Sequence, residues 1–307
     1  MRYLVEVENN EHIAARALRR AILGTLVLGV AKAAGAWWSG SHAVGASAAD
    51  ALTDALVSGA NLVLVRAAAA PPDASHPFGH GKAEALAGLA QAAFLSVVIV
   101  GVGRSAVLRL MSGGELPLVG PAVLIMVGSM VSSYLLSRGL QRAADQTGSL
   151  VLRADAAHYR MDLWSGTGVL LGLVLSQILG DARIDAAASL LLCFWMAREV
   201  VPIAIDAVGE LMDRPLDAME QGKAEAVLAA FADRISGYHD LRTRRAGPRR
   251  FVQVHVELPG ELQLREAHRI ADDLEEALRT ALPGCDPIVH IDPEEEVRAR
   301  RAAGRLR

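Results

Sequence analysis

The chain has 307 residues, of which 52% are hydrophobic and only 4% aromatic, with a mean hydropathy of +0.29 and a formal net charge of −3. That is too apolar for a typical water-soluble protein and suits several membrane spans, while the near-balanced charge gives no support to a nucleic-acid partner. Two cysteines far apart, Cys193 and Cys285, argue against a disulfide framework and read as small packing residues.

The opening stretch "MRYLVEVENNEHIAARALRR" is polar and charged, and the apolar run after it is too long for the core of a cleavable signal peptide. Residues 1–17 therefore read as a cytoplasmic N-terminal segment leading into a retained span. Apolar stretches follow at 18–38, 43–65, 85–108, 118–138, 156–179 and 184–205. Each approaches the roughly 20 residues needed to cross a bilayer as a helix. The second is weakened by Asp50, Asp54 and Asn61, and the fifth opens on "DAAHYRMD". Arg16, Arg19 and Arg20 precede the first span, Arg66 and Lys82 follow the second, and Arg138, Arg142 and Arg153 lie between the fourth and fifth. This excess of basic residues on one side predicts cytoplasmic N and C termini and places Trp37 and Trp38 at the outer interface.

The composition changes after Asp206. "LDAMEQGKAEAVLAAFADRI" has helical periodicity, and "HDLRTRRAG" and "RFVQVHVEL" read as two strands joined by a Gly-Pro turn. "LREAHRIADDLEEALRTAL" is an amphipathic helix and "DPIVHID" a short strand. The order αββαβ predicts a compact α+β module over residues 207–293, after a six-helix membrane domain over 18–206. Residues 294–307 are expected to fray as a charged tail.

Ionisable groups inside the apolar runs carry the chemistry. Asp50 and Asp54 are four residues apart, as are His158 and Asp162, so each pair shares one helix face. Two such pairs can close a tetrahedral site of three carboxylates and one imidazole, which suits zinc, with cadmium and ferrous iron as competitors. A carboxylate in the membrane costs at least about 2.5–3.5 kcal/mol on insertion scales. A divalent cation or bound protons would relieve that cost and the mutual repulsion, which makes the cluster a candidate metal–proton exchange site. Helix capping is the plainer alternative, and it stays open for Asp155. In the loop "PPDASHPFGHGKAEAL", Asp73, His76 and His80 could hold a second metal, with Gly79 and Gly81 allowing a tight backbone; a merely solvated loop is the alternative.

"ASAADALTDALVSGANLVLVR", "HPFGHGKAEALAGLAQAAFLS", "RADAAHYRMDLWSG", "HDLRTRRAGPRRFVQVHVEL" and "VHIDP" together resemble the cation diffusion facilitator family, in particular bacterial zinc and ferrous-iron efflux pumps. The resemblance runs from the first span to Pro293. It implies a homodimer in the cell inner membrane, six spans per subunit, a ferredoxin-like cytoplasmic domain of metallochaperone type, and exchange of a divalent metal for protons by alternating access. It implies a transport site at Asp50, Asp54, His158 and Asp162 and a loop site at Asp73, His76 and His80. In the C-terminal domain it implies a binuclear site at the dimer interface built from His239, His255, His268, His290 and a bridging Asp292. Four histidines in one small module, followed by a carboxylate, point the same way. Ile291 stands where relatives can carry a polar residue, which predicts a drier shell around Asp292. Lys82 and Asp213 are implied as a charge interlock between subunits. Zinc would then be both substrate and regulator, with protons as counter-ion. Two rival readings are a non-transporting metal sensor or scaffold and an intramembrane metalloprotease; the chain has no H-E-x-x-H helix for the latter.

Overall fold

A computed structural model describes residues 2–39, 42–112, 122–179 and 183–305; the side chains of residues 1–9 and of some further helix positions, Asp50 among them, lie outside the described set. The chain divides into two units, Asn10–Val208 and, together, Met1–Asn9 and Gly209–Arg307.

Among the described residues the spans of the first unit are all helices, as lipid demands of a chain that must satisfy its own backbone hydrogen bonds, and the loop 70–81 joins two of them. Its helices are α1 (Arg2–Ser39), α2 (His42–Ala69), α3 (Lys82–Ser112), α4 (Ala122–Thr147), α5 (Leu150–Leu179) and α6 (Arg183–Leu211), with the start of α1 up to Asn9 and the end of α6 from Gly209 grouped with the second unit. All six expected spans fall on helices, each running beyond its apolar stretch into polar turns; residues 118–121 of the fourth lie outside the described residues. Among the described residues, Ala51–Ala69, Lys82–Met111 and Ala186–Leu211 are long and apolar enough by composition alone to cross a membrane. Helices α1 and α4 are less apolar, as the arginines they carry require.

Helix α5 is the shared wall of two cores. One joins Leu18 and Ala21 of α1, Leu140 and Ala144 of α4, and Val151, Leu152 and Tyr159 of α5. The other joins Leu95 of α3, Ala157 and Met161 of α5, and Met196, Val200 and Ile203 of α6. Small residues allow the close approaches. A Cβ added at Gly24 would meet Leu136 at 3.2 Å, and one at Gly166 would meet Met130 at 2.8 Å. Gly148, at φ 69, turns α4 into α5, its N–H donating to the Ala144 carbonyl at 2.7 Å. Two arginines two turns apart on α5 reach acids two turns apart on α6: Arg153 pairs with Asp206, and Arg160 with Glu199 at 2.7 Å. Arg160 also donates to Gln141 of α4 at 2.8 Å.

In the second unit, α7 (Ala218–Ala230), β1 (Gly237–Ala246), β2 (Arg249–Leu258), α8 (Leu264–Ala281) and β3 (Cys285–Pro293) realise the expected αββαβ order. The sheet order is β1-β2-β3, with β1 and β2 antiparallel and β2 and β3 parallel. A parallel pair needs a crossover, and α8 supplies it. Asp217 caps α7, accepting from the Glu220 N–H at 2.8 Å. Val252, Val254, Val256 and Leu258 face Leu228, Leu274 and Leu278 in the core. Cys285 belongs to this core, where burial pushes its thiol up to about 12.

The expected frayed tail is instead a helix, α9 (Glu294–Ala302). Three glutamates in its first turn and Arg300 and Arg301 in its last complement the helix dipole, and Val297 is fully buried. Ile291 packs toward the apolar core on the face opposite Asp292, so strand alternation keeps its side chain out of the carboxylate's surroundings, while Asp292 itself is buried.

Candidate metal centres

Three clusters of histidine and carboxylate bring one ligand atom per residue within 4.8 Å of one another: Asp54 with His158 and Asp162; Asp73 with His76 and His80; His239 with His255 and Asp292.

The first lies between α2 and α5. His158 Nε2 is 2.9 Å from Asp54 Oδ1 and 3.7 Å from Asp162 Oδ2. Its other ring nitrogen is buried without a hydrogen-bond partner among the described residues. The three side chains line a cavity of about 560 Å³ whose wall also includes Thr25, Lys32, Ser129 and Ser133. Exposure rises from His158 to Asp54 to Asp162 (9%, 23% and 40% of the side chain), so the imidazole is at the closed end. Asp50 is on α2, one turn before Asp54, and its side chain lies outside the described residues.

One turn from His158, Asp155 is completely buried among polar groups of three helices. Its carboxylate accepts from Ser58 Oγ at 3.0 Å, Asn61 Nδ2 at 3.2 Å and Gln91 Nε2 at 3.4 Å. Ser58 also meets the Tyr159 hydroxyl at 3.0 Å, and Asn61 donates to Gln91 Oε1 at 2.7 Å. Asp155 thus ties α2 and α3 to the turn of α5 that carries His158; it is not a helix cap.

The loop cluster is built by local backbone. Asp73 Oδ1 accepts from the N–H groups of Ser75 at 2.8 Å and His76 at 2.6 Å, an Asx turn that folds the segment back. The His76 backbone bond, with the nearby imidazoles, holds the Asp73 carboxyl below its usual value. Asp73 is 3.4 Å from both His76 Nδ1 and His80 Nε2, and Gly79 at φ 81 makes the turn between them.

In the second unit, strand register does the assembling. His239 pairs across the ladder with His255, and His255 with His290, so three imidazoles stand side by side over the sheet. The next same-face pair is Glu257 with Asp292. Asp292 Oδ2 is 2.7 Å from His255 Nδ1 and 3.6 Å from His239 Nε2, and its Oδ1 is 3.6 Å from His290 Nε2. Burial pushes the Asp292 carboxyl up, but the His255 hydrogen bond and three imidazoles outweigh it and hold it below its usual value. His268, on α8, is exposed, lies 3.5 Å from Asp272, and is not brought into its own chain's cluster.

Residues 18–212 match the model of the cation efflux transmembrane domain, and residues 216–294 that of the cytoplasmic domain of cation efflux proteins, a dimerisation domain. The chain belongs to the cation diffusion facilitator family. Among similar family members, the cation-efflux pump FieF of Pectobacterium atrosepticum is 38% identical over 94% of this chain and 96% of its own. FieF of Escherichia coli O127:H6 is 36% identical over 84% and 86%. A solved chain of a proposed zinc transporter, CzrB, is 41% identical, covers 26% of this chain and 98% of its own, with a TM-score of 0.25. As a family member the protein is a cation efflux transporter of the membrane with a cytoplasmic dimerisation domain.

Two side chains of this family member escaped the reading of its sequence. Lys32 is buried in the wall of the Asp54–His158 cavity, inside a run read only as apolar. Glu257 is buried with its Oε1 3.1 Å from His239 Nδ1 and 2.6 Å from Arg301. Its place two residues after His255 on one strand, hence on the same face, was the available signal.

Proposed function

We propose that this cation efflux transporter exchanges a zinc ion from the cytosol for protons, with cadmium and ferrous iron as competing substrates. The supporting observation is the cluster of Asp54, His158 and Asp162, drawn from two helices and facing one cavity. Asp50, one turn along α2, would complete a set of three carboxylates and an imidazole. That donor set suits zinc over harder cations such as magnesium.

The coupling follows from the ligands. Metal binding requires a neutral imidazole and ionised carboxylates, so loading from the cytosol releases protons. His158 is the natural coupling group, because an imidazole is the one ligand type in the set whose unperturbed form changes charge near neutral pH. After the helices rock and the site opens outward, protons compete for His158 and the aspartates, and the metal leaves. The carried protons return as the site turns inward. The termini lie on the cytoplasmic side, as the basic residues flanking the spans favour.

The histidine row and Asp292 form a regulatory metal site in a homodimer. The exposed His268, apart from its own cluster, is available to the partner subunit. Metal there neutralises clustered ligands and favours the closed pair of cytoplasmic domains. The loop cluster of Asp73, His76 and His80 binds a third ion at the membrane surface.

The experiment is zinc transport in proteoliposomes driven by a pH step. The parent protein moves zinc, and Asp54→Ala abolishes the movement. An Asp54→Ala protein that still moves zinc against a proton gradient removes the site assignment. A parent protein that binds zinc but never transports it turns the reading to a sensor.

A further inference from the structure

We propose that the groove between α1 and α4 is a binding site for an anionic phospholipid, seating the headgroup phosphate among Arg16, Arg20 and Arg142. The groove encloses a cavity of about 470 Å³, and the side chains lining it include these three arginines but no aspartate or glutamate. Among the described residues, Arg20 and Arg142 have no acidic partner, and the contact found for Arg16 is to the His12 backbone carbonyl at 3.1 Å. Three guanidinium groups sharing one concavity without a counter-charge repel one another unless an anion joins them. Guanidinium matches phosphate oxygens in geometry as well as charge.

The rest of the groove identifies the kind of anion. Its floor is apolar, formed by Ile13, Leu135, Leu136 and Leu140, and is unsuited to a free, fully hydrated ion. Just beyond Arg20 and Leu135 the exposed faces turn wholly apolar. Leu23, Val27 and Val30 on α1, and Val127, Val131 and Leu135 on α4, form two exposed stripes at helical spacing. Gly24 lets Leu136 close against α1 at the point where the groove gives way to these stripes. A cationic pocket continuous with an acyl-facing surface is the shape of a lipid with a phosphate head. Basic pockets between spans on the cytoplasmic side are where anionic headgroups bind, and the arginines sit at the end of α1 that the basic residues assign to that side. Nothing here depends on the metal clusters.

Native mass spectrometry of the full-length protein, offered dioleoyl phosphatidylglycerol or dioleoyl phosphatidylcholine, tests the site. The parent retains phosphatidylglycerol and sheds phosphatidylcholine. The triple variant R16Q/R20Q/R142Q lowers phosphatidylglycerol retention on the order of 100-fold, at about fivefold for each of the three cations near the headgroups. The charge-preserving R16K/R20K/R142K keeps it within about tenfold. Gly139→Leu fills the groove while keeping every arginine, since a Cβ at Gly139 meets nothing within 4 Å, and it too expels the lipid. Should the triple glutamine variant not fold, Gly139→Leu decides alone. Equal retention by the parent and either the glutamine or the leucine variant overturns the proposal, as does equal retention of phosphatidylcholine. Release of the lipid by millimolar inorganic phosphate also overturns it, because the groove would then be a phosphate site.

Discussion

Replacing Asp155 by alanine tests whether the buried polar cluster holds the proposed transport site together. The carboxylate accepts three hydrogen bonds, from Ser58, Asn61 and Gln91. After its removal Ser58 still has Tyr159, and one Asn61 hydrogen still has Gln91 Oε1. The second Asn61 hydrogen and the Gln91 amide are left without an acceptor in a dry interior. At about 0.6 kcal/mol per intramembrane bond the loss is about 2 kcal/mol. At about 1–3 kcal/mol for each of the two orphaned groups it reaches about 2–6 kcal/mol. A loss of about 2–4 kcal/mol is therefore expected in reversible unfolding of the detergent-solubilised protein. Asp155→Asn, which keeps one acceptor oxygen, loses about half as much. Zinc affinity should fall in the alanine variant as well, because α2 and α5 would no longer hold Asp54 against His158. An alanine variant that unfolds within about 0.5 kcal/mol of the parent, the ordinary scatter of surface changes, refutes the clamp.

His158→Asp makes the proposed transport set all-oxygen and should weaken zinc transport relative to manganese; unchanged relative rates in a liposome competition assay would defeat the ligand-type argument. Asp292→Ala should lower the zinc content of the purified full-length protein and its metal-dependent domain closure, read by metal analysis and by fluorescence between labelled cytoplasmic domains; parent-like values in both would remove the cluster as a metal site. Glu220 tests electrostatics away from any metal. Burial raises its carboxyl, but the hydrogen bond and charge of Arg245, at 2.6 Å, and Arg250, at 2.7 Å, outweigh it and hold the group below its ordinary 4.5. A depressed folded value stabilises above the unfolded value and is lost as pH falls through the folded one. Glu220→Gln should thus cost about 1–3 kcal/mol at pH 7, with the difference shrinking below about pH 4.5; hydrogen exchange of β1 and β2, corrected for intrinsic rate, measures it, and an equal difference at both pH values contradicts the ion-pair account.

Much of this was legible in the residues because lipid makes polarity informative. Asp54, His158 and Asp162 stand out in apolar runs, and i,i+4 spacing already places the last two on one face. The histidines of the C-terminal domain were legible singly. Their alignment was not, since it depends on β1 and β3 meeting β2 in one register, which sequence spacing leaves unset. Lys32 was hidden because one ammonium within a long apolar run reads as tolerated, and only the cavity shows what it faces. Glu257 was hidden because a glutamate on an alternating strand is usually solvated. For Asp155 the sequence leaves capping and function open, and three donors from α2 and α3 show that it is neither solvated nor at a helix end. Helix α9 was missed because a tail rich in charge usually lacks anything to bury, and here the single residue Val297 and the reach of Arg301 to Glu257 suffice.

The paired arginines of α5 have a consequence for how such a transporter can be retuned. His158 and Asp162 share a rod with Arg153 and Arg160, which are fastened to α6, and with Asp155, which is fastened to α2 and α3. Any rotation that re-aims the imidazole drags on all of these attachments. Cargo preference and the balance between open faces are thus mechanically linked, and adaptation to a different ion should come through compensating changes on three neighbouring helices at once.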